Sequence, residues 1–408
     1  MNIKLNTAIL DSKSRIAITG SKSETNRLLL LKALYPNIDL ENISNSDDSE
    51  MMTNALSRDE KIKDIHHAGT AMRFLTAYFS IQEGKEIILT GSSRMKERPI
   101  KILVDALRQI GAEISYEEND GFPPIKIKGQ RLEKSKVTLK ANVSSQYISA
   151  LLLIAPKLEN GLELVLEGEI TSVPYIKMTL ELLEEIGIET SFEKNIIKVN
   201  PKTEIQKYRF VIESDWSSAS YFYSIVALSK EGTSIELLSY KANSLQGDSV
   251  LVDIYKDFGV ETKFINNSIV LVKKKQNPIQ YVTHNLQSSP DIAQTIAVTC
   301  FGLGIKCHLT GLHTLKIKET DRLEALKTEL SKLGAQISVT NDSLILEPSN
   351  NVIANCKIAT YQDHRMAMAF APLALKSSII IEDSEVVSKS YPDFWNDLKK
   401  IGFKMEEI

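Results

Sequence analysis

Leu107-Arg108-Gln109-Ile110-Gly111-Ala112 sets a pattern that returns four times: Leu183-Glu184-Glu185-Ile186-Gly187-Ile188, Tyr255-Lys256-Asp257-Phe258-Gly259-Val260, Leu330-Ser331-Lys332-Leu333-Gly334-Ala335 and Leu398-Lys399-Lys400-Ile401-Gly402-Phe403. Each reads as the end of an amphipathic helix closed by Gly, which takes the left-handed conformation without a Cβ clash, followed by a strand. The glycines recur every 68 to 76 residues. A second set of segments interleaves with the first, each an apolar helix, a break and a β-rich strand: Asn26 to Leu40, Thr70 to Leu89, Gln146 to Leu166, Ser217 to Leu238, Ala293 to Leu309 and Arg365 to Ile381. Six such segments in 408 residues give a β-α-β-α-β-β unit, an α/β fold built by repetition. The period is too long for common solenoids and suits pseudo-symmetric domains. The first unit breaks the pattern, because only about twenty residues separate Asp47-Asp48 from Ala68-Gly69-Thr70 and no helix-stopping Gly lies between them. It reads as shortened.

The composition, 43% hydrophobic and 25% charged with a net charge of -3, excludes the one-signed field that nucleic acid or an anionic membrane surface requires. No apolar run reaches the ~18 residues of a membrane span. Met1-Asn2-Ile3-Lys4-Leu5 alternates like a strand and lacks an apolar signal core, so a cytoplasmic protein is expected. Cys300, Cys307 and Cys356 show no C-x-x-C spacing and read as buried small hydrophobes. The six histidines lack ligand spacing, so no metal is expected. Lys273-Lys274-Lys275, before Gln276-Asn277-Pro278, reads as a solvated turn.

The cations that carry chemistry sit in short clusters beside hydroxyls, Gly or a carboxylate, the pattern of a small-polyanion site. Arg15 to Thr19 reads as a strand, Gly20-Ser21-Lys22-Ser23 as a turn and Asn26 to Leu34 as a helix, with Ser21-x-x-Glu24 as a capping box. Such a helix start, with Lys22 and Arg27, suits an anion. It is no Walker A loop, since Ser21 precedes Lys22. Ala68-Gly69-Thr70-Ala71-Met72-Arg73 repeats the device, and Gly69 lets a ligand approach the main chain. Arg94-Met95-Lys96-Glu97-Arg98-Pro99 packs three cations before another helix, with Pro99 in its first turn. Ser144-Ser145-Gln146 offers neutral donors, and Ser172-Val173-Pro174-Tyr175 a weaker set. Asp291 stands at a helix start, where capping is the simplest role. Lys318 and Arg322, four apart, are expected on one face early in a helix, where the dipole disfavours cations unless an anion is present. Asp363-His364-Arg365 and Ser388-Lys389 again put cations at helix entrances. Gly302-Leu303-Gly304 precedes a strand and so is no dinucleotide loop.

Taken in order, G-S-K-S-x-x-N-R, A-G-T-A-M-R, R-M-K-E-R-P, S-S-Q, S-x-P-Y, Asp215 to Tyr221, Asn243 to Asp248, P-D, K-E-T-D-R, D-H-R-M-A-M and S-K-x-x-P-D make the chain resemble the 5-enolpyruvylshikimate-3-phosphate synthase family of enolpyruvyl transferases. The resemblance spans nearly the whole chain. It implies two similar domains, each of three β-α-β-α-β-β units in an inside-out α/β barrel, with the active site in the interdomain cleft. Residues 1–20 with 214–408 would form the discontinuous C-terminal domain and 21–213 the N-terminal one. It implies transfer of the enolpyruvyl group of phosphoenolpyruvate to the 5-hydroxyl of shikimate 3-phosphate, releasing phosphate, in the shikimate pathway of aromatic amino acid biosynthesis. It also implies inhibition by the analogue glyphosate, no cofactor and a monomeric enzyme.

Residue by residue, the resemblance gives Lys22, Ser23, Arg27, Ser144, Ser145, Gln146, Ser172, Tyr175, Asp291 and Lys318 to shikimate 3-phosphate. It gives Lys22, Gly69, Arg98, Gln146, Arg322, Arg365 and Lys389 to phosphoenolpyruvate. Asp291 is then the base for the 5-hydroxyl, Glu319 the acid for the methylene carbon, and Lys22 a third catalytic group. Three departures stand out: His67 where the family usually has Asn, Thr314 where it usually has Asn or Glu, and the shortened first unit. Two alternatives remain, the related UDP-N-acetylglucosamine enolpyruvyl transferase, whose usual reactive Cys is missing from Arg94 to Pro99, and a catalytically idle anion-binding module.

Overall fold

The structure is a computed structural model that describes residues 1–408 apart from 9, 11, 12, 142, 143, 169, 171, 172, 276–278 and 350. It divides into two compact units, Met1–Thr19 with Glu213–Ile408, and Gly20–Ile212. No helix among the described residues is long and apolar enough to cross a membrane.

All five repeat glycines have positive φ, from 73° at Gly259 to 108° at Gly111. At each, the residue after Gly donates its N–H to the carbonyl four residues before the Gly: Ala112 to Leu107, Ile188 to Leu183, Val260 to Tyr255, Ala335 to Leu330 and Phe403 to Leu398, all between 2.9 and 3.1 Å. The Gly N–H itself bonds the carbonyl three residues back. These paired bonds satisfy helix-end carbonyls and turn the chain into the next strand.

In the larger unit, Tyr281–Asn285 runs parallel to Lys306–Thr310, which pairs antiparallel with Leu344–Leu346, itself hairpinned to Ile337–Val339. Helices Ala293–Leu303 and Arg322–Lys332 lie between successive strands, completing one β-α-β-α-β-β unit. The chain's opening strands complete two further sheets. Lys13–Ile16 runs parallel to Ser234–Leu238, and Ile3–Asn6 lies between Ile379–Ile381 and Lys404–Glu407. The other unit has two four-stranded sheets and a two-stranded parallel pair, Ile38–Glu41 with Tyr208–Val211. Helix Asp47–Ser57, after Ile38–Glu41, ends at Arg58 without a glycine.

Each unit is centred on three apolar helices. Lys22–Leu34, Gly69–Ser80 and Ser145–Ile154 pack together in one, and Trp216–Leu228, Ala293–Leu303 and His364–Phe370 in the other. Trp216–Leu228, Ala293–Leu303 and Ser145–Ile154 are apolar on nearly every face and are buried on nearly every face, whereas Lys22–Leu34 is polar over its first two turns. Buried hydroxyls on these helices are satisfied between helices, as Ser220 with Thr295 at 3.1 Å and Thr299 to Ser224 at 2.8 Å, or on the helix's own carbonyls, as Thr76 to Met72 at 2.6 Å and Ser80 to Thr76 at 2.7 Å. Unpaired, each would cost more than its bond contributes.

Several local expectations need correction. The first helix starts at Lys22, not Asn26, because Ser21 Oγ caps the Glu24 N–H at 3.4 Å. The strand before it is Lys13–Ile16, not Arg15 to Thr19. Arg94 to Lys96 lie in a short helix of their own, Ser93–Lys96, and Pro99 stands before Lys101–Gln109 and outside it. Lys273 is no solvated turn residue: it closes strand Ser268–Lys273, is buried, and donates Nζ to the Phe258 carbonyl at 2.8 Å. Burial pushes its ammonium down to about 8. Gln276, Asn277 and Pro278 lie outside the described residues. Cys300 and Cys307 are buried, but Cys356 is only half-buried and donates Sγ to the Lys332 carbonyl.

Candidate active site

K-E-T-D-R is not helical up to its Arg. A turn, His313–Ile317, ends just before Lys318, and the helix starts at Arg322 because Asp321 Oδ1 accepts the N–H groups of Leu323 (3.1 Å) and Glu324 (3.2 Å). Lys318 and Glu319 therefore stand free of helix geometry and can turn toward other elements. Asp291 is not a cap either, for its carboxylate faces cations. Oδ1 accepts from Arg322 Nη1 at 2.9 Å and lies 3.2 Å from Lys318 Nζ, while Oδ2 accepts from Arg365 Nη2 at 3.3 Å.

Arg322 is the centre of this cluster. Its guanidinium, 2% exposed, donates Nη2 to Glu319 Oε2 (2.8 Å) and Nε to Asp363 Oδ2 (2.6 Å). Lys389 Nζ reaches Glu319 Oε1 at 3.5 Å. Lys389 ends the turn Ser384–Lys389 instead of opening a helix. Asp363 also caps His364–Phe370 by accepting the Arg365 N–H at 2.9 Å, so one carboxylate orients two arginines. Burial pushes the Asp291 carboxyl up, but Lys318, Arg365 and Arg322 outweigh it and hold Asp291 well below the usual carboxylate range. Burial pushes Arg322 down, and Asp363, Glu319 and Asp291 more than reverse it. The result is one basic face with two carboxylates, Asp291 and Glu319, bridged by a single guanidinium. An anion at this face would compete with the two carboxylates for the same cations.

In the other unit, Lys22 opens Lys22–Leu34 with Nζ 3.6 Å from Asp48 Oδ2. Ser144 Oγ caps Ser145–Ile154 by accepting the Gln146 N–H at 3.3 Å, and Gln146 Nε2 donates to Thr70 Oγ1 at 3.2 Å. Gly69 opens Gly69–Ser80 with the Arg98 guanidinium against its Cα, where a Cβ would stand 2.6 Å from Nη1. Ser23 and Tyr175 are half-buried. Arg27 is buried, and its donors are taken by Thr179 Oγ1 (2.8 Å), the Ser23 carbonyl (2.7 Å), Ser149 Oγ (3.0 Å) and the Tyr175 carbonyl (3.2 Å). Burial pulls it down to about 10. Arg27 thus orients Ser23 and Tyr175 through their backbone. Ser172 lies outside the described residues.

The structure thus gathers Asp291, Lys318, Glu319, Arg322, Arg365 and Lys389 in one unit, and joins Gln146 to the Gly69–Thr70 helix start and Arg98 to Gly69 in the other. Sequence reading missed Asp363, visible only as the acidic residue before His364-Arg365, and Asp48, the partner of Lys22. It missed Arg73 as well, whose guanidinium reaches the Gly69 and Pro99 carbonyls at 3.1 and 3.2 Å.

An α/β repeat fold with cations and two carboxylates grouped in this way carries the chemistry of a site for a small polyanion. The family model for EPSP synthase (3-phosphoshikimate 1-carboxyvinyltransferase) matches residues 52–398. A 3-phosphoshikimate 1-carboxyvinyltransferase of Bacteroides fragilis (strain YCH46) is 48% identical over 96% of each chain. One from Haemophilus influenzae (strain Rd) is 36% identical over 95% of this chain and 96% of its own. The chain belongs to the EPSP synthase family. Its fold is similar to that of EPSP synthase from Acinetobacter baumannii (TM-score 0.81, 20% identity, all of both chains) and of the enolpyruvyl transferase NikO from Streptomyces tendae (TM-score 0.74, 15% identity, 99% and 98%).

Proposed function

We propose that this chain transfers the enolpyruvyl group of phosphoenolpyruvate to the 5-hydroxyl of shikimate 3-phosphate, giving 5-enolpyruvylshikimate 3-phosphate and phosphate. The observation that supports this reading is the Asp291–Arg322–Glu319 bridge, in which one cation joins two carboxylates of the kind a base and an acid require. Asp291 takes the proton of the attacking hydroxyl as its oxygen bonds to C2 of phosphoenolpyruvate, and Glu319 delivers a proton to the methylene carbon. The resulting tetrahedral ketal loses phosphate as the C–O bond breaks and the methyl group gives back a proton. Lys22, Arg98, Arg322, Arg365 and Lys389 neutralise the phosphate and carboxylate, and Gly69 lets the main chain approach them. Lys318, Ser144, Ser145, Gln146 and Tyr175, with Ser23 oriented by Arg27, hold shikimate 3-phosphate. Residues 1–20 with 214–408 and residues 21–213 act as the two domains, and the enzyme works as a monomer in the cytoplasm.

A phosphate-release assay with both substrates tests the reading. Release should require both substrates and should drop on the order of 10²- to 10⁴-fold in Asp291→Asn, where an amide cannot serve as base. Release from phosphoenolpyruvate alone, or none with the pair, defeats it. Gly69→Ala gives a second check. The new methyl group displaces the flexible Arg98 guanidinium rather than backbone, so the fold survives while the KM for phosphoenolpyruvate rises several-fold, to roughly the extent of one weakened charge-assisted hydrogen bond. Inhibition by glyphosate should weaken further. Unchanged values for both would remove Gly69 from the site.

A further inference from the structure

Asp248 borders the cluster but takes no part in the chemistry above. It lies in the turn Gly247–Val250 and is 3% exposed. Ser217 Oγ donates to its Oδ2, while its Oδ1 has no hydrogen-bond partner among the described residues. The same Ser217 hydroxyl accepts from Arg365 Nη2 at 3.3 Å, and that nitrogen is also 3.3 Å from Asp291 Oδ2. Arg365 is thus shared between the reaction's base and a hydroxyl anchored on a buried carboxylate. A buried carboxylate with one open oxygen is costly unless its charge serves something nearby.

The geometry points to Asp248 as a positioning residue that acts through Ser217 on Arg365, holding the guanidinium partly away from Asp291 so that it can meet an incoming carboxylate or phosphate. This inference rests on the enolpyruvyl-transfer reading. When Asp248 is ionised, Ser217 gives it its proton and keeps lone pairs for Arg365. When Asp248 is protonated, it becomes a donor itself and contests those lone pairs. The charged groups facing it are Asp291 beside Ala293–Leu303, Arg365 on His364–Phe370, and Asp215, the cap of Trp216–Leu228. Burial first, then the Asp291 charge, push Asp248 up to about 6, against the pull of Arg365 and Ser217.

The test compares the wild-type enzyme with Asp248→Asn, Ser217→Ala, Ser217→Thr and the Asp248→Asn/Ser217→Ala double variant, measuring kcat and KM for phosphoenolpyruvate from about pH 5 to 8.5. At pH 7.5, Asp248→Asn and Ser217→Ala should each raise KM on the order of 10-fold with a smaller change in kcat. Ser217→Thr should restore most of the loss, and the double variant should be no worse than either single one. The ratio of wild-type to Asp248→Asn kcat/KM should fall toward one as the pH drops through about 6, because residue 248 is then neutral in both. Ionisation of the substrate is common to both proteins and cancels. A pH-independent ratio, an unchanged KM, or additive single effects overturn the inference. Wild-type enzyme that does not turn over these substrates defeats the functional reading instead, whereas normal wild-type turnover with a flat ratio defeats this inference alone.

Discussion

Glu319→Gln is expected to lower kcat on the order of 10²- to 10⁴-fold while moving the KM for phosphoenolpyruvate far less. In the wild-type protein Glu319 accepts from Arg322 Nη2 through one oxygen and faces Lys389 Nζ with the other. Glutamine keeps the shape and one acceptor oxygen, so it can hold Arg322 much as glutamate does. Its amide nitrogen, however, turns a donor toward the second cation and has no proton to deliver to carbon. The loss therefore falls on the transition state, where the methylene is protonated, and not on ground-state binding. Steady-state kinetics with circular dichroism as the folding control decide it. Near-normal turnover in a folded Glu319→Gln enzyme would place the acid elsewhere.

Arg322→Ala should act on stability and on binding together. Removing the guanidinium strips Asp363, Asp291 and Glu319 of a common partner, and all three carboxylates are at most 15% exposed. Breaking a buried ion pair by deleting one partner costs about 3–5 kcal/mol, because the remaining charges stay buried. Arg322→Lys should recover only part of this, since a compact ammonium lacks the planar guanidinium fork that spreads donors to three separate carboxylates. The pH dependence follows in sign from Asp291. Its depressed carboxyl contributes stability above roughly pH 3.9, the unfolded value, and that contribution is lost as the pH falls further. In Arg322→Ala part of that contribution is missing at neutral pH, so the gap to wild type should narrow on acidification. The KM for phosphoenolpyruvate, measured where the variant is still folded, should rise on the order of 10- to 100-fold, as expected for a lost charged contact worth roughly 1.5–3 kcal/mol. Denaturant melts matching wild type at pH 7 would show that the three carboxylates do not depend on Arg322.

What the sequence alone determined was whatever one segment can state about itself. Gly111, Gly187, Gly259, Gly334 and Gly402 announce their helix ends because only Gly takes that φ at so little cost, and the interval between them carries the repeat. The central helices are legible from their apolar runs, such as Leu28 to Leu31 and Ala150 to Ile154. The motif order points to the family residue by residue, and so to the candidate groups. Boundaries were less legible where two local signals compete, as at Lys318 to Arg322, where the Asp321 cap overrides helical spacing.

Only the tertiary structure decided who meets whom. Asp291 and Arg365 are 74 residues apart, and their pairing depends on two separate elements being brought side by side. The same holds for Arg27, whose charge looked available for a ligand until Thr179, Ser149 and Tyr175, more than 120 residues away, took its donors. Lys273 looked solvated in a run of lysines, yet the Phe258 carbonyl holds it at a strand end. Nothing local marks these partners, because the energy of a charge is set by burial and by neighbours supplied from distant segments.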